Sequence, residues 1–359
     1  MKISVCMMVR NEQELLPLAL RSTLGLADEV VVVDTGSTDD TVAIARDFGA
    51  VVVEGADRRY KAKARNQGIA AATGDWIVIL DADEQIAEPQ AVRKYLQGAE
   101  VDAVYVRETF MDPCGVATLS FAQQRIWRTG VYQYKYRAHE VPLPVSGWGK
   151  ITYSDFVWEH RPPASGREWK REHMLMLLLM DVDENPGDAR PMYYLARELM
   201  YLGAYQAAIE WTRRYIAAAP KSDSDKAEAW GILATCFFNT ARRKEGMECL
   251  HQAMAEQPGR RAWPCLLAEQ YHAAGEHAPA IGLLKQALEY KRPEFGYINE
   301  FWYGPGIYDL LARCLWYAGR QADGLPYAQQ ACEMAPDNAL FRANLKWFED
   351  YHASHQPNV

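Results

Sequence analysis

From residue 1 to about 160 the hydrophobic pattern alternates between two periods. Lys2–Val9 is a short apolar run that reads as a strand, and Glu12–Leu24 carries apolar residues at helical spacing. Glu29–Val33 is rich in valine, and β-branched residues favour extended chain. Thr41–Phe48 is again helical, Ala50–Val53 extended, Lys61–Ala72 helical, and Trp76–Leu80 a buried strand. This repetition predicts an α/β domain with a mostly parallel sheet and helices on both faces. Strands that are apolar throughout fit a sheet covered on both sides. Beyond about Val101 helical spacing gives way to aromatic, turn-rich sequence, which predicts antiparallel or mixed strands.

From Glu168 onward the pattern is helical, and it repeats. A Leu-Ala pair ends at Ala196, Ala234, Ala268 and Ala312, at spacings of 38, 34 and 44. These bracket the 34-residue helix–turn–helix repeat. Small residues at fixed places let paired helices approach, and Pro220, Pro258, Pro293 and Pro336 close the second helices. The extra length before Ala312 lies in Pro293–Gly306, an aromatic insertion between helices. Ala339–His352 is expected to cap the array. This half resembles tetratricopeptide repeats in degenerate form. The prolines of Arg161–Gly166 mark the linker, so the expected domains are 1–165 and 166–359.

Charge narrows the function classes. The chain has 359 residues with 39 Lys+Arg against 47 Asp+Glu, a net −8. Residues 1–165 carry 18 basic and 22 acidic side chains, the rest 21 and 25, so neither half is a basic patch. That argues against nucleic acid as partner, since phosphate neutralisation calls for a positive face. No apolar run approaches the ~20 residues of a membrane span. The first apolar run ends at Val9, and Arg10-Asn11-Glu12 stands where a cleavage site would be, so no signal peptide is expected. Seven cysteines, without a C-x-x-C pair, suggest buried free thiols in a reducing compartment. The expected location is the cytoplasm.

In open α/β sheets ligands bind at the carboxyl ends of the strands. Three such ends carry polar groups: Arg10-Asn11-Glu12, Asp34 through Asp40, and Asp81-Ala82-Asp83-Glu84. Two acids one residue apart, leaving a buried strand, can hold a divalent cation against diphosphate oxygens. A bare D-x-D is common as a solvated acidic turn; its place after the third strand of a strand–helix repeat raises its value. Asp34 can accept from a base or ribose, while Ser37-Thr38-Asp39 also reads as the cap of the helix at Thr41. Neither G-x-G-x-x-G nor a Walker A loop is present, which argues against dehydrogenases and ATPases.

Four ordered motifs, "MMVRNEQELL", "DEVVVVDTGSTDDTVAIA", "ARNQGIAAATGDWIVILDADE" and the His139-Glu140 pair, resemble a family-2 glycosyltransferase of the GT-A, Rossmann-like fold over about the first 160 residues. The resemblance implies inverting transfer from a nucleotide-sugar donor, expected to be UDP-linked, with Mn²⁺ or Mg²⁺. It implies that Val9, Asn11, Asp34, Arg65, Asp81 and Ala82 line the nucleotide-sugar site, with Asp34 and Arg65 at the base and Asp81 at the ribose or a metal-bound water. Asp83 would ligate the metal directly, helped by Asp81 and by His160, which otherwise reads as a surface histidine at a strand end. Arg128 would position acceptor or diphosphate. Glu140 is the expected base, supported by His139, with Asp112 and Asp155 as rivals. One departure stands out: where the family has an Asp-Phe pair before Ala-Arg-Asn, this chain has Arg58-Arg59-Tyr60-Lys61-Ala62-Lys63-Ala64-Arg65. Its cations either line the diphosphate or an anionic acceptor, or form a solvated helix face, the reading preferred for Lys63.

The repeats suggest a peptide or protein acceptor, or a homodimer. Transfer to a saccharide, lipid-linked or nucleic-acid acceptor is also open, the last disfavoured by charge. The reading from a different class is a non-catalytic interaction protein with a relic first half; intact Asp81, Asp83, Arg65 and Glu140 argue against it. A nucleotidyltransferase would carry a glycine-rich phosphate loop, which Lys2–Leu15 lacks.

Overall fold

Strands β1 (Ile3–Val9), β2 (Glu29–Asp34), β3 (Val51–Glu54) and β4 (Trp76–Ile79) lie parallel in the order β3-β2-β1-β4. Helices α1 (Leu16–Ser22), α2 (Thr41–Asp47) and α3 (Lys61–Ala71) connect them. The computed structural model describes residues 1–55, 59–111, 117–161, 171–221, 223, 225–293 and 299–355. Next along the chain come β5 (Glu84–Ile86), α4 (Pro89–Gln97), β6 (Ala103–Met111), β7 (Ala117–Arg128), β8 (Tyr132–Lys135), β9 (Val141–Pro144) and β10 (Ile151–His160). The sheet continues as β4-β7-β6-β10-β5, with β7 antiparallel to both neighbours, β10 parallel to β6, and β5 antiparallel to β10. Strands β8 and β9 form a separate antiparallel ribbon.

Side-chain alternation accounts for the all-apolar strands. Ile3, Val5, Met7 and Val9 of β1, Val30 and Val32 of β2, and Trp76 and Val78 of β4 enter one core. Cys6, Val31, Ile77 and Ile79 enter another, with Trp127 and Tyr132. Successive residues of a strand point to opposite faces, so a sheet with two cores wants apolar residues at every position. Helix α1 begins later than the apolar spacing suggests: Leu15 and Leu16 donate to the Glu12 carbonyl at 3.1 and 2.8 Å, a turn ahead of a helix with proline in its first turn. Gly68 lets α3 lie close on the sheet, because a Cβ there would stand 2.8 Å from the Val33 Cγ2.

Then follow α5 (Arg171–Glu184), α6 (Ala189–Tyr201), α7 (Tyr205–Ala218), α8 (Lys226–Asn239), α9 (Arg243–Glu256), α10 (Ala262–Ala273), α11 (His277–Leu288), α12 (Glu300–Tyr303), α13 (Pro305–Tyr317), α14 (Gln321–Met334) and α15 (Ala339–His355). Pairs α6/α7, α8/α9, α10/α11 and α13/α14 pack as hairpins, and α15 packs on α14. The Leu-Ala anchors fall in the first helix of each pair, and all eight residues are buried. A second marker keeps the same register. Gly203, Ala241, Gly275 and Gly319 carry positive φ at the four hairpin turns. Each stands 7 residues after its anchor alanine (203 − 196, 241 − 234, 275 − 268, 319 − 312). The left-handed turn ends the first helix, which glycine does most cheaply. Ala241 does it against its Cβ.

Two compact units result: Met1–Pro186, and a second made of Gly187–Glu294 with Asn299–Val359. The division thus falls after α5, whereas the sequence places it at 165/166. Helix α5 packs with the first unit because its Asp181 and Glu184 pair with Arg137 there. Residues 162–166 of the expected linker, and 294–298 of the aromatic insertion, lie outside the described residues. No helix of the described residues is long and apolar enough to cross a membrane.

Candidate active site

The chain leaves β4 through Leu80 and turns sharply at Asp81-Ala82-Asp83 into β5. The turn is closed twice: the Asp81 amide donates to Glu84 Oε2 at 2.9 Å, and the Glu84 amide donates to the Asp81 carbonyl at 3.0 Å. The Asp83 carbonyl accepts from the Arg161 amide at 2.7 Å, which ties the turn to the end of β10. Ala82 and Asp83 are buried.

Helix α3 brings a cation over this turn. Arg65 donates from Nη2 to Asp81 Oδ1 at 2.8 Å and from Nε to Glu140 Oε1 at 2.9 Å. Its guanidinium lies 5.2 Å from the Tyr134 ring centroid. The neighbouring Asn66 fixes the partner strand: its amide donates to the Tyr134 carbonyl at 2.9 Å and accepts from the Tyr134 amide at 2.8 Å. The Arg-Asn pair therefore divides two tasks, Arg65 joining the carboxylates and Asn66 splicing α3 to β8. Burial alone would raise the Asp81 carboxyl, but Arg65 and Arg125 beside it hold it well below the usual carboxylate range. Lys61, from the basic stretch, adds to that field.

Arg125 comes from a break in the β7 ladder. Ile126 pairs with Val104 and Gln124 with Tyr105, which leaves Arg125 as the extra residue. A bulge re-aims a side chain that regular alternation would send elsewhere. Here the guanidinium reaches Asp81 Oδ2 at 3.3 Å, Glu108 Oε2 at 2.9 Å, and Glu84 Oε1. Arg125, Glu84 and Glu108 are all buried. Asp81, Glu84, Glu108 and Glu140 set four carboxylates against two guanidiniums, Arg65 and Arg125. Burial, with Asp81 and Glu108 nearby, pushes Glu84 well up despite Arg125. That is the expected response to excess negative charge in low dielectric.

On the far side of the turn, His160 Nε2 stands 3.7 Å from Asp83 Oδ2. Its ring lies against Phe110, centroids 4.2 Å apart, and its buried Nδ1 has no hydrogen-bond partner among the described residues. With ligand bonds near ~2.1 Å, two ligands of one divalent ion stand about 3–4 Å apart. The Asp83–His160 gap fits. Glu84, Glu108 and His160 also offer ligand atoms within 4.8 Å of one another. Arg125 pairs with both of those glutamates.

The loops after β1 and β2 flank the same sheet edge. Val9 pairs with Asp34, and its carbonyl accepts from the Thr35 amide at 3.0 Å. Asp34 accepts from the Ser37 hydroxyl at 2.5 Å and the Gly36 amide at 3.2 Å. Asn11, at φ 52°, accepts from the Thr38 amide at 2.8 Å. Asp39 accepts from the Thr41 amide at 3.1 Å, but the residue at the cap position of α2 is Asp40 and its side chain makes no cap bond, so the cap expected of Ser37-Thr38-Asp39 lies one residue further on.

A model of glycosyl transferase family 2 matches residues 4–141. Residues 4–141 are a family-2 glycosyltransferase domain. Over 87 residues the chain is 38% identical to an uncharacterized glycosyltransferase of Rickettsia felis, 24% of this chain and 30% of that one. It is 52% identical over 85 residues to a TPR repeat-containing protein of Synechococcus elongatus, 24% of this chain and 21% of that one. The chain thus spans under a third of these curated relatives. The crystal structure of S. aureus TarS 1-349 aligns at TM-score 0.41 and 15% identity, covering 72% of this chain and 92% of that one.

Among the matched residues, Arg65, Asp81 and Glu140 meet directly and His139 stands beside Glu140 at φ 51°; His160, beyond the match, stands 3.7 Å from Asp83. Arg128 does not join them, which corrects the role expected for it. It pairs with Trp76, at the opposite end of β4 from Asp81. Five residues of strand separate those ends by about 16 Å. Its guanidinium covers the Trp76 ring at 4.2 Å and donates to the Ala99 carbonyl at 2.8 Å. Of the rival bases, Asp155 is 95% exposed and paired with Arg107, and Asp112 lies outside the described residues. Lys63 is exposed, as a solvated face requires, and Arg58 lies outside the described residues. Sequence reasoning gave no role to Arg125 or Glu108. The Arg125/Arg128 spacing in one strand was the available signal, but a bulge leaves no mark in the pattern.

Proposed function

We propose that the chain is an inverting, divalent-metal-dependent glycosyltransferase that moves a sugar from a nucleotide-sugar donor to an acceptor hydroxyl. One observation carries this reading: Arg65 bridges Asp81 and Glu140 at the carboxyl end of β4, next to the Asp83–His160 pair. Donor-side carboxylates and a basic carboxylate therefore share one sheet edge. A bound Mn²⁺ or Mg²⁺ would be held by Asp83 and His160 and would offset charge on the leaving diphosphate. UDP is the nucleotide expected from the family resemblance, with Asp34 and Asp81 toward base and ribose.

Glu140 is the proposed base. Arg65 fixes Oε1, so Oε2 is the oxygen that receives the acceptor proton. The acceptor oxygen forms its bond to the anomeric carbon from the face opposite the departing phosphate oxygen. The bond to that phosphate oxygen breaks with its electron pair leaving on the diphosphate, and the configuration inverts. The helical hairpins favour a peptide or protein acceptor, because such arrays present long surfaces to extended chains.

Glu140→Gln keeps the size of the side chain and an acceptor for Arg65. It should lower turnover of donor by about 10²-fold or more, the scale of a lost general base. UDP affinity should stay within about twofold, since the base acts on the acceptor. Turnover near the wild-type rate would place the base elsewhere.

A further inference from the structure

We propose that Asp181, on α5 beyond the family-matched residues, is a positioning residue for Glu140. This rests on the reading of Glu140 as the base. The segment Tyr136–Glu140 is an unstable piece of backbone by itself. Tyr136 has φ 77° and His139 φ 51°, both left-handed and neither glycine. Left-handed backbone is unfavourable for a residue with a Cβ, so the segment keeps its shape only if something outside holds it.

Asp181 supplies that hold. Its carboxylate accepts from the Arg137 amide at 2.9 Å and from the Ala138 amide at 3.1 Å. Two successive amides turned to one carboxylate form an anion-binding concavity, here filled by the chain's own side chain. Asp181 is 1% exposed, so water does not compete for those amides. The grip is extended by Arg137, which pairs with Glu184 one turn further along α5 and covers the Tyr60 ring at 4.3 Å. The clamped amides lie between the two left-handed residues, and Glu140 follows directly. Its Oε1 then meets Arg65 Nε at 2.9 Å. Helix α5 thus belongs to the catalytic unit by function as well as by packing, although the family model stops at residue 141.

The test uses the full chain with UDP-glucose and UDP-N-acetylglucosamine as hydrolysis probes in Mn²⁺. Asp181→Asn keeps the volume and one acceptor oxygen but faces two amide donors with an amide of its own. Its kcat should fall about tenfold or more while the donor KM stays within about twofold, as expected for a misplaced base with an intact donor site. Asp181→Ala should fall further; if it does not fold, Asp181→Asn carries the test. Amide exchange at Arg137 and Ala138 should rise in Asp181→Asn and stay at the wild-type rate in Glu140→Gln. A purely architectural Asp181 would lower the melting temperature and leave kcat of the folded enzyme unchanged, and that result overturns the proposal. If Glu140→Gln is inactive while Asp181→Asn turns over normally, the clamp fails and the base assignment stands. If Glu140→Gln turns over normally, both fall.

Discussion

The two units are stabilised by opposite means. At the carboxyl edge of the sheet, side chains from residues 65, 81, 84, 108, 125 and 140 are joined by ion pairs in a mostly buried cluster. In the helical unit, Leu-Ala anchors and a left-handed turn recur in one register, and apolar contact does the holding. Buried ion pairs are poor stabilisers compared with apolar packing of the same volume. Six such side chains are linked together at that sheet edge, whereas in the repeats buried Asp309 pairs with Arg313 one turn along the same helix. Arg125 and Arg128, three residues apart on β7, make the same contrast on a small scale: one pairs with carboxylates near the carboxyl end of β4, the other stacks on tryptophan at the opposite end.

The contrast breaks most visibly at Arg125. Arg125→Met leaves Glu84 and Glu108 buried without their cation and should cost about 3–5 kcal/mol in denaturant unfolding of the first unit. Arg128→Met removes a stacking contact and carbonyl bonds and should cost only about 1 kcal/mol. Equal losses would mean that the ionic cluster is no different from an ordinary surface clasp. In the helical unit, Leu311→Ala should cost about 2–5 kcal/mol through the cavity it opens. Hydrogen exchange should then quicken in α13 and α14 and stay unchanged in the sheet strands. Acceleration spread evenly over helices and strands would contradict a cavity confined to that hairpin. The smallest effect sharpens the repeat register: Ala241→Gly should gain up to about 1 kcal/mol, because it relieves a Cβ in the left-handed turn that its three counterparts fill with glycine. A loss of stability would show that Ala241 serves packing there.

What the sequence reveals follows the range of the interaction that sets it. The parallel strands, the helices between them and the Leu-Ala anchors rest on short-range periodicity, and each appears within a few residues of its expected place. Asp34, Asp81 and Asp83 follow from a rule about strand ends. Arg125 does not, because its direction depends on a bulge against β6, and Glu108 depends on which strand becomes the neighbour of β7. Arg128 misled for the same reason: strand direction relative to β4 decides which end of the sheet it serves. The unit boundary was hidden too, since α5 has helical spacing like its successors, and the bonds of its Asp181 and Glu184 to Arg137 are long-range.

The proposed function stands or falls with a divalent cation beside Asp83 that grips the diphosphate of a nucleotide donor. Calorimetric titration of UDP into the full chain, with and without Mn²⁺, measures that coupling directly. Mn²⁺ should tighten UDP at least about tenfold in the wild type, and Asp83→Asn should abolish the gain with the melting temperature nearly unchanged. Equal UDP affinity with and without Mn²⁺ in the wild type, or full coupling in Asp83→Asn, would contradict it.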